Sequence, residues 1–157
     1  MIGLHCTDHL TLRLPAMTYD DQNIFAKIIR GEIPSLRIYE DDHTIAMMDV
    51  MPQCDGHALV LPKAGSRNIL DIAPESLNAT ILTAQRIARA AMQAFGADGV
   101  NVMQFNEPAA GQTVFHTHFH IIPRMAGVPL KPHAREMVAP ELLAPHAAAY
   151  RRVLGSE

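Results

Sequence analysis

Three histidines occupy alternate positions in the segment VFHTHFHIIPR, residues 114–124. Successive side chains of a β-strand point to opposite faces, so a strand here would place His116, His118 and His120 on one face. The segment is rich in β-branched and aromatic residues, a composition typical of a strand. Alternate residues of a strand lie about 6.6 Å apart. Neighbouring imidazoles at that distance can act on one substrate group.

Imidazole titrates near pH 6.5 and can serve as nucleophile, base, acid or metal ligand at neutral pH. A solvated polar sheet face is the simplest interpretation of the histidine row. The regular alternation and a fourth histidine, His57 in GHALVLP, argue against it. A second interpretation is a zinc half-site completed by His57 or Asp49, although the chain offers no cysteine pair to support it.

The third interpretation is nucleotidyl transfer through a covalently modified histidine. The segment AAGQTV lies directly before the row. Small residues and a glycine let backbone amides approach an anion closely, and Thr113 adds a hydroxyl donor. The phosphate-binding pattern GxxxxGK is absent from the sequence, which excludes an ATPase P-loop. Phosphate binding beside an imidazole is therefore favoured over a metal site.

The composition indicates an ordinary globular protein. The 157 residues suit one domain, and the net charge of −3 without a dense basic cluster argues against a nucleic-acid polymer as partner. No apolar run approaches the roughly 20 residues that span a membrane. Residues 1–16 lack the pattern of a signal peptide and are predicted to be a disordered extension. Cys6 and Cys54 form neither a disulfide framework nor a metal-binding pair, which predicts a reducing, cytoplasmic location.

Hydrophobic periodicity and turn residues predict an α+β fold with the order α-β-β-β-α-β-β-α. Short connections predict that the first three strands form an antiparallel meander. The main domain is predicted at 17–124, followed by a C-terminal tail, 125–157, whose helix packs on it. The predicted helices lie near 23–30, from Pro74 to Phe95 and from Pro140 onward, and the predicted strands at 36–41, 44–50, 56–62, 99–105 and 114–124.

Three blocks of this sequence resemble the nucleotide-binding branch of the histidine triad family. They are NIFAKIIRGEIPSLRIYEDD, MDVMPQCDGHALVLPK and AGQTVFHTHFHIIPR, and together they run from Asn23 to Arg124. The resemblance implies a single antiparallel five-stranded sheet with packed helices, and a homodimer. It also implies cleavage at the α-phosphorus of purine nucleoside monophosphate conjugates such as phosphoramidates.

The resemblance also implies site residues and their roles. His118 would be the nucleophile, His116 and His57 would orient it, and His120 would lie on the leaving-group side. The amides of Gly111, Gln112 and Thr113 would bind phosphoryl oxygens, and Asp49 would accept hydrogen bonds from ribose. The apolar slot for the base, whose members are also candidates for the core, would comprise Ile24, Phe25, Ile28, Met47 and Val50.

Two departures from the family pattern affect these expectations. The family asparagine on the phosphate side aligns without a gap with Phe105, so Asn106 is a candidate only if the loop carries an extra residue. Zinc-binding relatives carry a Cys-x-x-Cys at the first helix, where this chain has NIFAKII, so we expect neither a metal nor a cofactor. Two alternatives stay open: a dinucleoside polyphosphate hydrolase, and a nucleotide-binding regulatory protein with little catalysis.

Overall fold

The computed structural model describes residues 18–132 and 136–155. The predicted extension, 1–16, lies outside the described residues, as does Cys6. The element order is the predicted one, with a short 3-10 turn added at Pro108–Ala110. The helices are α1 (Ile24–Ile29), α2 (Pro74–Phe95) and α3 (Pro140–Leu154), and the strands are β1 (Arg37–Glu40), β2 (Thr44–Met48), β3 (Ala58–Pro62), β4 (Gly99–Met103) and β5 (Phe119–Arg124).

The five strands form one antiparallel sheet in the order β1-β2-β3-β5-β4. This confirms the predicted fold class and the meander of the first three strands. The chain leaves the meander through α2, whose start at Pro74 and end at a left-handed Gly96 match the sequence signals. It then forms the outer strand β4 and returns along β5 beside β3.

Both faces of the sheet are buried, and alternation along the strands separates two clusters. Ala46 and Val60 face α2 and α3 in the larger cluster, whereas Leu59 lies in the smaller cluster beneath α1. Leu59 is paired with His120 in the β3–β5 ladder. The strand alternation therefore points His120 toward the α1 side of the sheet.

The segment that enters β5 differs from its prediction. The strand begins at Phe119, so His116 and His118 precede it, and the prediction of a strand over the whole of 114–124 is wrong. The backbone hydrogen bonds explain the difference. The Thr117 amide donates to the carbonyl of Ser66, and the carbonyl of His116 accepts a hydrogen bond from a side chain.

The C-terminal helix is tied to the sheet and to the loop before β3. The Tyr150 hydroxyl donates to the carbonyl of Gly56, and the Arg151 guanidinium donates to the carbonyl of Arg37. Ahead of α3, the amides of Lys131 and Val138 donate to the carbonyls of Gln53 and Val50, at 2.9 and 2.8 Å. Within 18–132 and 136–155, none of the helices has the length and apolar character needed to cross a membrane.

Candidate active site

A largely apolar cleft of about 170 Å³ opens between α1, β2 and the segment that enters β5. It brings together nine of the predicted site residues: Ile24, Phe25, Ile28, Met47, Asp49, Val50, Thr113, His118 and His120. It is also lined by six residues that sequence reasoning missed: Pro34, Ser35, Met48, Met51, Leu59 and Val114. These six are ordinary turn and core types, so their composition carried no signal of a site.

The apolar wall of the cleft combines core packing with exposed surface. Phe25, Ile28 and Met47 are buried members of the smaller hydrophobic cluster, so they also stabilise the fold. Ile24 and Val50 are 48% and 44% exposed and stand at the open side. A flat apolar ligand would cover these two side chains, which water otherwise contacts.

The backbone fixes the protonation pattern of the His118 ring. Its Nδ1 lies 2.6 Å from the carbonyl oxygen of His116. A carbonyl can only accept, so Nδ1 carries the hydrogen and donates it. In the neutral ring the lone pair is then on Nε2, the atom that a nucleophilic imidazole uses. The Phe25 ring meets His118 edge-on, with the ring centroids 5.0 Å apart, and limits its rotation.

The His116 imidazole lies behind the cleft and is fully buried. Its Nε2 donates to the carbonyl of Pro62 at 2.9 Å, and its Nδ1 lies 2.7 Å from the hydroxyl of Tyr19. Burial lowers the pKa of His116 to about 4, although the Pro62 carbonyl partly opposes the shift. The contact of His116 with the predicted nucleophile is through its backbone carbonyl.

A second chain of hydrogen bonds orients His120. The Gln53 amide donates to Nδ1 of His57, so the hydrogen of the His57 ring is on Nε2. That Nε2 lies 3.0 Å from Nδ1 of His120 and donates to it. The hydrogen of His120 is consequently on Nε2. His57 thus contacts His120 directly, and its predicted role in orienting His118 stays a prediction.

Asp49 lies beside this pair of imidazoles. One carboxylate oxygen accepts from the amide of Met51 at 2.8 Å, and the other lies 3.4 Å from Nε2 of His57 and 3.9 Å from Nδ1 of His120. The three side chains have ligand atoms close enough for a metal ion. The polarity of the Gln53–His57 bond opposes this use, because a metal on Nε2 would move the ring hydrogen to Nδ1, which accepts from the Gln53 amide. The cluster is better suited to hydrogen bonding than to metal coordination.

In the loop predicted to bind phosphate, AAGQTV, two of the three candidate backbone amides already donate hydrogen bonds within the protein. The amides of Gly111 and Gln112 donate to the carbonyls of Pro108 and Glu107 at 3.0 and 3.2 Å. Thr113 lines the cleft beside the two histidines. Of the three predicted anion contacts, Thr113 therefore has the most direct position.

A hydrogen-bond network holds the back of this loop. The side-chain nitrogen Nε2 of Gln112 donates to the backbone carbonyls of Arg67 and Val114. Its side-chain oxygen Oε1 accepts from the backbone amide of Glu107 and from the side-chain nitrogen of Asn68. The Glu107 carboxylate accepts two hydrogen bonds from Arg67. Glu107 also adopts a φ of 70°, which is costly for a residue with a Cβ. The hydrogen bonds of the Gln112 side chain thus stabilise the conformation of the loop.

Asn106 has a structural contact in the same region. Its side-chain oxygen accepts from the amide of Ile69 at 3.0 Å and so ties the loop to the segment before α2. Its proposed contact with a phosphate stays a prediction. The ion pair between Arg67 and Glu107 was missed by sequence reasoning, because its partners lie 40 positions apart with no motif to join them.

Comparisons with known proteins agree with this fold. A family model described as the HIT domain matches residues 30–127. An adenylylsulfatase of Arabidopsis thaliana is 38% identical over 112 residues, which cover 71% of this chain and 57% of that protein. An adenosine 5'-monophosphoramidase of Saccharomyces cerevisiae is 40% identical over 107 residues, which cover 68% of this chain and 65% of that protein. The chain thus spans less than two thirds of each of these two relatives.

A solved structure from Bartonella henselae is also similar. It is described as a Hit-like protein involved in cell-cycle regulation, with an unknown ligand. The two chains are 55% identical, with a TM-score of 0.84, and the match covers 87% of this chain and 99% of the other.

Proposed function

The chain belongs to the histidine triad family, and from this premise we propose that it is a nucleotide hydrolase that acts through a nucleotidyl-histidine intermediate. Its substrates are nucleoside monophosphates that carry a leaving group on the α-phosphorus, such as phosphoramidates and other adenylyl conjugates. The observation that carries the proposal is the hydrogen bond from Nδ1 of His118 to the carbonyl of His116, which leaves the lone pair on Nε2.

The reaction has two displacements at phosphorus. In the first, Nε2 of His118 forms a bond to phosphorus while the bond from phosphorus to the leaving group breaks. In the second, water supplies an oxygen to phosphorus, loses a proton, and the bond from phosphorus to His118 breaks. Each displacement has a lower barrier than direct attack by water, which is the gain from covalent catalysis.

His120 donates a hydrogen bond to the atom that leaves phosphorus, and a departing amine takes its proton from water. The Gln53–His57–His120 chain places the His120 hydrogen on Nε2, the nitrogen opposite to its contact with His57. The ring centroids of His118 and His120 are 5.0 Å apart, so a substrate on one ring is within reach of the other. In the second step the proton that the attacking water loses passes to the solvent.

The nucleotide is held by the remaining cleft residues. A purine ring fits between the apolar side chains of Ile24, Phe25 and Val50, and the ribose hydroxyls donate to Asp49. Thr113 donates to a phosphoryl oxygen on which negative charge grows in the transition state. The names of the two enzyme relatives support an adenylyl group as the nucleotide.

Mass spectrometry of a rapidly quenched reaction tests the covalent step. With an adenosine phosphoramidate as substrate, we expect an added nucleotidyl group on the peptide that contains His118. The His118→Ala variant should lack the adduct while it still binds the nucleoside monophosphate. An adduct on another side chain, or rapid turnover that requires a metal and shows no adduct, would overturn the proposal.

A comparison of substrates separates the proposed activity from its alternatives. Turnover of a phosphoramidate faster than that of a diadenosine polyphosphate supports the proposal, and cleavage of the polyphosphate alone would replace it. Nucleotide binding without turnover of either compound would identify a regulatory protein. Activity that survives chelation supports the hydrogen-bonding assignment of the Asp49 cluster.

The proposal includes a homodimer in the cytoplasm. Ile81 and Leu82 on α2 and Val102 on the outer strand β4 are 43%, 58% and 45% exposed. The family resemblance implies dimerisation through the long helix, α2, and the fourth strand, β4, and these apolar side chains lie on both. Light scattering at micromolar concentration tests this point, and a monomer would remove it.

A further inference from the structure

Tyr19 precedes α1 and contacts a residue 97 positions further along the chain. Its hydroxyl oxygen is 2.7 Å from Nδ1 of His116, and the two rings meet edge-on with centroids 5.6 Å apart. Among the described residues, those that line the cleft do not include Tyr19. The proposed reaction therefore gives this side chain no direct task.

The direction of this hydrogen bond follows from the other nitrogen of His116. Nε2 donates to the carbonyl of Pro62, and the low pKa of the buried ring keeps it neutral at pH 7. Nδ1 thus has a lone pair, and the Tyr19 hydroxyl must be the donor. Burial raises the pKa of Tyr19, which keeps this hydroxyl protonated.

The Tyr19 ring occupies a space that depends on a glycine. A Cβ at Gly65 would lie 2.6 Å from Cε1 of Tyr19, closer than two carbon atoms can approach. The ring is consequently packed directly on the backbone of Gly65. The Tyr19 hydroxyl is held in place by this packing as well as by its hydrogen bond.

We propose that Tyr19 is a positioning residue for the nucleophile. Its hydroxyl and the Pro62 carbonyl hold the His116 ring at both nitrogens. The fixed ring holds the His116 backbone, and the His116 carbonyl in turn fixes the hydrogen of His118 on Nδ1. The effect on reaction rate rests on the proposed function, whereas the effect on the two rings does not.

The Tyr19→Phe variant tests the effect on rate, because it removes the hydroxyl and retains the ring. We expect kcat to fall about tenfold, the range typical of residues that orient a reactive side chain, while KM changes less than twofold. Tyr39→Phe is the matched control, since its hydroxyl contacts Asp41 and Arg86 on another part of the surface. An unchanged kcat, or a rise in KM alone, would contradict the proposal.

The Gly65→Ala variant tests the packing that holds the ring. The added methyl group should displace Tyr19 and lower kcat by a similar factor. Because both changes act through one contact, the double variant Gly65→Ala with Tyr19→Phe should lose less than the product of the two single losses. Thermal unfolding of each variant verifies that it is folded at the assay temperature. Effects that multiply fully would show that Gly65 acts separately from Tyr19.

Nitrogen-15 NMR of the histidine rings tests the positioning without any substrate. In the wild-type protein we expect hydrogen on Nε2 of His116 and on Nδ1 of His118. In Tyr19→Phe the Pro62 carbonyl should keep the His116 hydrogen on Nε2, whereas the His118 Nδ1 hydrogen should exchange faster with water. Hydrogen on Nδ1 of His116 in the wild-type protein would refute the role of Tyr19. Correct ring patterns without any hydrolysis would refute the proposed function instead.

Discussion

The two ends of the cleft place the ring hydrogens of two histidines, His118 and His120, on different nitrogens. At one end a backbone carbonyl accepts from Nδ1 of His118, so its Nε2 has the lone pair. At the other end the His57 ring donates to Nδ1 of His120, so Nε2 of His120 has the hydrogen. His118 and His120 are two positions apart in the sequence, yet in the proposed reaction one ring attacks phosphorus and the other donates a hydrogen bond. The partner on Nδ1, and not the residue type, determines which task each ring can perform.

Replacement of His118 tests the attacking end and should have the largest effect. The His118→Asn variant lacks the proposed nucleophile, so we expect kcat to fall at least about a thousandfold. His43→Asn is the matched control, because His43 is an exposed histidine in the turn between β1 and β2. Steady-state hydrolysis of an adenosine phosphoramidate measures both variants. Comparable losses in the two would show that the cleft is not the site of reaction.

The pH dependence of stability tests whether His116 is buried in its neutral form. Its pKa is about 4 in the folded protein and near 6.5 in an unfolded chain. Between these values the unfolded chain binds a proton that the folded protein does not. The free energy of unfolding should therefore decrease as the pH falls from 6.5 toward 4, by about 3 kcal/mol from this residue.

Urea unfolding at pH 7 and pH 4.5 measures this decrease. The wild-type protein and the His43→Asn control should show it in full. The His116→Asn variant should show a decrease smaller by roughly 2 kcal/mol, because pH 4.5 is still above the folded pKa. The same decrease in all three proteins would mean that His116 accepts a proton in the folded state.

Replacement of His120 tests the donating end of the comparison. We expect His120→Asn to lower kcat about a hundredfold for a conjugate with an alkylamine leaving group, whose departure depends on this hydrogen bond. For a phenolate leaving group, which departs as an anion, the loss should be small. Turnover of the two conjugates by each protein measures the difference. An equal loss for both would assign His120 to binding rather than to a hydrogen bond with the leaving group.

Replacement of Asp49 should give the smallest of these effects. Asp49→Asn retains the size of the side chain but weakens acceptance from ribose hydroxyls. We expect the Kd of a nucleoside monophosphate to rise about tenfold, whereas that of its 2',3'-dideoxy analogue, which lacks these hydroxyls, should change little. Calorimetric titration measures both constants. A tenfold rise for the dideoxy analogue as well would place the effect in the His57–His120 pair.

The sequence predicted the element order well because the hydrophobic periodicity and the turn residues agree with the packing. Pro74 and Gly96 bound α2 where local chemistry places them. The start of β5 could not be predicted in this way, because alternation continues through His116 while its carbonyl is used by a side chain. Local pattern describes which face a side chain prefers, and hydrogen bonding decides where the strand begins.

The candidate site was also predicted only in part. The cleft positions of Asp49, Thr113 and His118 match residues chosen from the sequence. The partners of the rings do not follow from the sequence, since they depend on contacts between distant segments. The bond from Tyr19 to His116 joins residues 97 positions apart, and that from His57 to His120 joins residues 63 apart. No pattern within either segment encodes these pairs.

The hydrogen bonds from Lys131 and Val138 to the loop at 50–53 have a consequence for experiments on motion. The loop contains the Gln53 amide, whose hydrogen bond fixes the His57 hydrogen on Nε2. If the loop opened, the ring hydrogens of His57 and His120 would no longer be fixed on these nitrogens. Opening would also expose the amides of Lys131 and Val138 to solvent. Their deuterium uptake, followed in the absence of substrate, would then record how often the end of the cleft that contains His120 becomes disordered. Bound nucleotide should slow that uptake if the loop closes over it.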